Sequence, residues 1–123
     1  MIYKVGMLCK HFKGNDLLEK NIYRIEKLNV KGTDIDESII TYTGDGVLSD
    51  ATNLVVYSNI FQDNKLFCRE YEDISSKLSE EKKKTFHQTL KVEPLNSMEL
   101  MIVESDDFNR MKHQSTLNKY ASK

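Results

Sequence analysis

Three short apolar strings decide the reading of this chain: Met7-Leu8-Cys9-Lys10-His11-Phe12-Lys13-Gly14, Leu54-Val55-Val56-Tyr57 and Leu66-Phe67-Cys68-Arg69. Each has the length and the β-branched or aromatic content of a strand, and each runs into polar or turn-forming residues. Between the last two, Gln62-Asp63-Asn64-Lys65 is a polar, turn-prone stretch of the size that joins a hairpin. The residues from Leu54 to Phe61 form the strongest strand signal in the chain.

Working outward, Ile22-Tyr23-Arg24-Ile25 reads as a further strand reaching toward Val30. Ile39-Ile40-Thr41-Tyr42-Thr43 reads as another, closed by a turn at Gly44-Asp45-Gly46. About five strands over this length predict a small β barrel or roll. All five glycines lie in the first half and the only proline, Pro94, in the second, so a turn-rich β region gives way to a helical tail near Ser75.

In that tail, Ser79-Glu80-Glu81 has the hydroxyl cap and the acidic first turn of a helix start. Lys82-Lys83-Lys84 extend the helix toward Leu90, with Phe86 and Leu90 four apart on one face. Lys91 to Leu95 reads as extended. Ser97 is the expected cap of a second helix through Met98, Met101 and Ile102, although Leu100 to Val103 also fits a strand. The polar stretch from Asp106 predicts one or two helical turns and then a frayed end. One or two helices are therefore expected, packed with the β region as a single unit.

At 123 residues, 39% hydrophobic and 30% charged, the chain has the composition of one globular domain. Val5 to Cys9 is too short for the apolar segment of a signal peptide and no later stretch suits a membrane span, so the expected location is the cytoplasm, with no membrane partner. Cys9 and Cys68 each sit inside an apolar string and read as buried thiols in a reducing compartment. Eighteen basic against nineteen acidic residues leave a net charge of -1, which does not favour nucleic acid as a partner.

Chemistry-bearing motifs are sparse. His11, His87 and His113 are scattered, and Cys9-x-His11, on one side of a strand, is half of a soft-metal site. Thr43-Gly44-Asp45-Gly46 lacks the lysine of a phosphate loop, and Asp34-x-Asp36-Glu37 lacks the glycine and distant glutamate of a calcium loop. No metal, cofactor or catalytic residue is assigned. His11 and Arg69 each end an apolar string, where a polar group is presented at the rim of a sheet. Arg69, among Tyr57, Phe67 and Tyr71, offers a planar fork for a carboxylate or phosphate. The competing role for Arg69 is to cap carbonyls or to pair with Glu70 or Glu72.

Taken in order, Lys10-His11-Phe12-Lys13-Gly14, Tyr23-x-Ile25, Leu54-Val55-Val56-Tyr57 and Leu66-Phe67-Cys68-Arg69 resemble the bacterial family known as domain of unknown function 1653. There a His-Phe-Lys-Gly start, a Tyr-x-Val strand, a Val-Val-Tyr strand and a Trp-Val-Arg-Pro strand follow one another. The resemblance covers about residues 5 to 75 and implies an SH3-like small β barrel, mainly β with a helical C-terminal extension, and no assigned activity. Phe67 stands in place of the family's tryptophan and Glu70 in place of its proline. Relative to the compact family pattern, residues 16–21 and 29–46 are inserted loops in a β-barrel domain spanning 1–75, and 76–123 is the added helical extension.

The expected function is that of a non-enzymatic binding module for a peptide, protein or small ligand, recognised near His11, Tyr57, Phe67 and Arg69. Fold-level analogy to barrels with aromatic grooves supports this expectation. One alternative is a small enzyme with His11 as general base and Arg69 holding an anionic substrate, which requires the two side chains to converge. The other is single-stranded nucleic-acid binding on barrel aromatics.

Overall fold

Period-two alternation carries the three apolar strings into one sheet. The computed structural model describes residues 2–36, 39–41, 50–63 and 65–121. Among them are the strands β1 (Leu8–His11), β2 (Ile22–Val30), β3 (Ile40–Thr41), β4 (Leu54–Asn59), β5 (Lys65–Glu70) and β6 (Val92–Pro94). The helices are α1 (Tyr71–Ile74), α2 (Glu80–Phe86), α3 (Ser97–Val103) and α4 (Asp106–Ala121). The sheet runs β3-β5-β4-β2-β1-β6, antiparallel except where β3 joins β5 in parallel. The result is a small open sheet, mainly β in the first half, with a helical C-terminal extension.

β4 is buried along its whole length because both faces of the sheet are covered. Val55 and Tyr57 point to one side, into a core with Tyr3, Cys9, Tyr23, Ile25, Phe67, Ile74 and Val92. Leu54 and Val56 point to the other, where Cys68 and the partly buried Val30, Ile35, Ile39 and Ala51 pack on them. The long β2 spans both parts of the sheet, pairing with β1 at Ile22 to Arg24 and with β4 from Tyr23 to Val30. Its register with β4 shifts between Ile25 and Lys27 and again between Lys27 and Val30, irregularities of the kind that bend a strand.

The hairpin between β4 and β5 has the expected connection, with Asn59 opposite Lys65. The glycine turn expected at Gly44-Asp45-Gly46 lies outside the described residues, as does Asn64 of the hairpin turn. Cys9 and Cys68 are free and fully buried. Burial pushes their thiols up to about 12 and about 11, so both stay protonated and weakly nucleophilic. Among the described residues no helix is long and apolar enough to cross a membrane, and no three His, Cys, Asp or Glu side chains are grouped to hold a metal ion.

The tail differs in detail from the one or two helices expected of it. α2 starts as its cap predicts, with the Lys82 amide donating to Ser79 Oγ at 3.2 Å, but it stops at Phe86 because His87 turns left-handed at φ 53°. Leu90 therefore leaves the helical face and bridges Lys77 instead. α3 is a helix, not a strand, and its cap is Asn96 rather than Ser97: Asn96 Oδ1 accepts from the Glu99 amide and Glu99 Oε1 from the Asn96 amide. α4 runs for 16 residues, longer than two turns, anchored where the buried Phe108 meets Phe61 edge-on at 6.2 Å. Replacing Ser79 by alanine removes the α2 cap and is expected to lower unfolding free energy by about 1 kcal/mol, read as a reduced urea midpoint with unchanged slope.

Candidate functional site

A strand places alternate side chains on one face, so Cys9 and His11 of β1 look the same way: Cys9 into the core, His11 out at its rim. The His11 ring lies 4.8 Å from that of Phe12 and meets Tyr23 edge-on at 6.3 Å. On β5, Phe67 and Arg69 share the face on which Tyr57 and Val55 of β4 oppose them. β4 and β2 stand between β5 and β1 in the sheet, yet His11 and Arg69 line one cavity, and the segment after α1 supplies a further wall of it. That segment folds back on itself through Leu78 N donating to Thr89 O at 2.9 Å, Lys91 N donating to Ser76 O at 2.9 Å, and the Lys77–Leu90 bridge.

The cavity, partly open to solvent, measures about 430 Å³. His11, Lys13, Arg69, Lys77, Lys82 and Lys91 line it, together with the hydroxyls of Ser76 and Ser79 and an apolar floor of Phe12 and Leu78. Among the described lining residues five are cationic and none is acidic. The volume lies in the range of small-molecule sites, and the lining is more polar than most, which suits a charged ligand.

The cations are held in place from behind. Arg69 Nε donates to Tyr57 Oη at 3.1 Å and Nη1 to Asp73 Oδ2 at 3.2 Å, while Lys91 Nζ donates to Asp73 Oδ1 at 2.8 Å. Burial alone pushes the Asp73 carboxyl up, but the Lys91 and Arg69 contacts outweigh it and hold the group below the ordinary aspartate value. Burial likewise opposes the charge on Arg69, and Tyr57 and Asp73 outweigh it, so the guanidinium is held above its usual value. Lys82 lies 5.4 Å over the Phe12 ring, a cation–π contact that orients its stem without neutralising its charge. Among the described residues one carboxylate, Asp73, serves two of the five cations, which leaves their lining an excess of positive charge.

His11 responds to that charge. Burial first, then the charges of Arg69, Lys13, Lys91 and Lys20, lower its pKa from 6.5 to about 4, so the imidazole is neutral at pH 7. Its Nδ1 accepts a long contact from the Lys13 amide at 3.4 Å, which leaves the Nε2 position to carry the proton. The unfolded chain binds a proton at His11 near pH 6.5, whereas the folded one does so only near pH 4. Folding stability is therefore unaffected by this group above pH 6.5 and is lost as pH falls through that window. After discounting for partial solvent screening the loss is about 2 kcal/mol. His11→Gln is expected to flatten that part of the stability profile, read from urea midpoints between pH 7 and pH 4.

Of the four residues singled out in the sequence, the structure brings His11 and Arg69 to the cavity. Tyr57 and Phe67, 3% and 6% exposed, lie in the core beneath it with their rings stacked at 5.8 Å, where Tyr57 holds Arg69. Arg69 pairs with Asp73 one helical turn on, and not through the carboxylates of Glu70 or Glu72 expected from adjacency. Lys13, Lys77, Lys82 and Lys91 were not legible as site residues. Lys82 reads in sequence as part of a solvated helix, and only the return of the segment through Lys77 and Leu90 shows which way it faces. No family model, curated protein or solved structure matches the chain.

Proposed function

We propose that this protein is a non-enzymatic binding module for small polyanions, carrying several carboxylates or a phosphate, with the cavity between His11 and Arg69 as its site. The observation that carries the reading is a cavity of about 430 Å³ lined, among the described residues, by five cationic side chains, a neutral histidine and no acid. Lysine and arginine ammonium and guanidinium groups that are already gathered need little ordering on binding, and a bound anion relieves their mutual repulsion. The sheet, bent at the two irregularities of β2, is on this reading an SH3-like roll of the kind that the sequence resemblance implies. Two buried free thiols support a reducing, cytoplasmic setting.

Convergence of His11 and Arg69 in one cavity also meets the geometric requirement of the enzyme reading. A base with a pKa of about 4 is poorly matched to proton transfer near neutrality, so recognition is favoured over catalysis. Tyr57 and Phe67 are too deeply buried to stack on nucleic-acid bases, which disfavours single-strand binding.

Titration with citrate and with pyrophosphate, followed by amide chemical shifts, tests the proposal. Saturable shifts centred on His11, Arg69 and Ser76 to Ser79, weakening steeply between low and physiological salt, are the expected result. Shifts scattered over surface lysines without saturation would overturn it.

A further inference from the structure

We infer that a second cavity, on the opposite face of β1, binds an amphipathic monocarboxylate such as a medium-chain fatty acid. This cavity also measures about 430 Å³, and its walls are largely apolar, formed by Leu17, Leu18, Phe86, Ile102, Phe108 and Met111. Lys10 and Lys20 line it too, and both are buried, at 8% and 5% exposure.

The two ammonium groups differ in what answers their charge. Lys10 Nζ lies 2.6 Å from Glu99 Oε2 and 3.8 Å from Glu93 Oε2, so it is neutralised within the protein. Lys20 Nζ donates to two backbone carbonyls, Phe12 O at 2.7 Å and Phe86 O at 3.5 Å, and lies 6.0 Å from the Phe86 ring centroid. Among the described residues no carboxylate lies within ion-pair distance of it. Buried charges are ordinarily paired, and this one has only neutral partners. Burial, followed by the charge of Lys10, lowers its pKa, and the more distant Glu99, Glu93 and Glu19 offset this only in part.

Two acids, Glu99 and Asp16, also line the cavity, and both are already engaged within the protein. Glu99 is bound by Lys10 and by the Asn96 amide, and Asp16 Oδ1 accepts from the Leu18 and Glu19 amides. Ile102 and Met111, which also line the cavity, are 43% and 48% exposed. A buried cation and a largely apolar lining that reaches the surface at Ile102 and Met111 are the two halves of a site for an anion with an alkyl chain. An alcohol would fill the walls but leave Lys20 without a counter-charge, and a short acid would do the reverse.

Calorimetric titration of the full chain with octanoate and decanoate below their micelle concentrations, and with decanol below its solubility limit, tests the assignment. One-site binding is expected, with decanoate roughly fifteenfold tighter than octanoate from two further buried methylenes. Decanol is expected to bind at least tenfold more weakly than decanoate. Lys20→Met should remove the preference for the acid over the alcohol. Because that change also strips two carbonyls of their donor and so weakens the fold, Ile102→Asp at a partly exposed lining position is the second variant, expected to weaken decanoate at least tenfold. Citrate binding at the His11 cavity serves as a separate readout and is expected to be unchanged by Ile102→Asp. Equal affinity for decanol and decanoate, or decanoate binding indifferent to Ile102→Asp, would overturn the inference.

Discussion

Replacing Tyr3 by alanine is expected to lower unfolding free energy by about 4 kcal/mol, the largest stability loss from any single substitution considered for this fold. Tyr3 is 1% exposed although it belongs to no strand, and it packs in the principal core beside Cys9, Ile74 and Val92. Its ring meets Tyr71 edge-on at 5.6 Å. Its hydroxyl lies 2.6 Å from Val92 O and 3.0 Å from Ile74 O, so a single phenol ties the N-terminal segment to β6 and to the end of α1. Burial first, and the neighbouring Cys9 second, hold that phenol well above the ordinary tyrosine value, so it remains a donor throughout the accessible pH range. Alanine removes the ring and leaves two carbonyls without their donor, whereas Tyr3→Phe keeps the ring and is expected to cost about 1–2 kcal/mol. Urea unfolding of the two variants separates the contributions. A Tyr3→Ala loss no greater than that of Tyr3→Phe would show that the ring contributes nothing.

Tyr3 also marks the limit of what the sequence discloses. The strings that became β1, β4 and β5 were legible because each alternates or runs apolar at strand length and because polar residues bound it. The tight connection from β4 to β5 was legible for the same reason. Tyr3 has no such periodicity around it, and its burial depends on carbonyls some 70 and 90 positions away, which no local pattern encodes. The end of α2 was misread for a related reason. Phe86 and Leu90 have helical spacing, but His87 adopts a left-handed conformation and the chain turns back to meet Lys77. At α3, two adjacent residues, Asn96 and Ser97, are both good caps, and the reciprocal bonds with Glu99 select the first.

The candidate site divides along the same line. His11 and Arg69 were visible as polar residues ending apolar strings, because a strand rim fixes where such a side chain must go. The lysines that complete the cavity were hidden, since a helix surface rich in lysine has the same composition whether it faces water or a pocket. Tyr57 and Phe67 were drawn into the site by sequence proximity, and their real contribution is one layer deeper, as the floor on which Arg69 is set. Near-neutral net charge was a sound argument against a broad basic field, yet it averages over the chain and conceals a local cluster of five cations.

Arg69 is where that cluster is most exposed to test. Arg69→Gln is expected to weaken citrate or pyrophosphate binding by about a hundredfold, the upper range for one charge-assisted contact. Folding should suffer little, by about 1 kcal/mol, because Asp73 keeps its 2.8 Å contact with Lys91 and is not left as an unpaired acid. Arg69→Lys retains the charge but not the fork that reaches Tyr57 Oη and Asp73 Oδ2 at once, so the ammonium is free to swing, and an intermediate loss of about tenfold is expected. The ordering arginine, lysine, glutamine then reports orientation and charge separately. A simple electrostatic patch would rank lysine equal to arginine. Calorimetric titration of the three proteins at one ionic strength distinguishes these outcomes, and a glutamine variant that binds citrate as tightly as the parent would remove Arg69, and with it the cavity, from the proposed function.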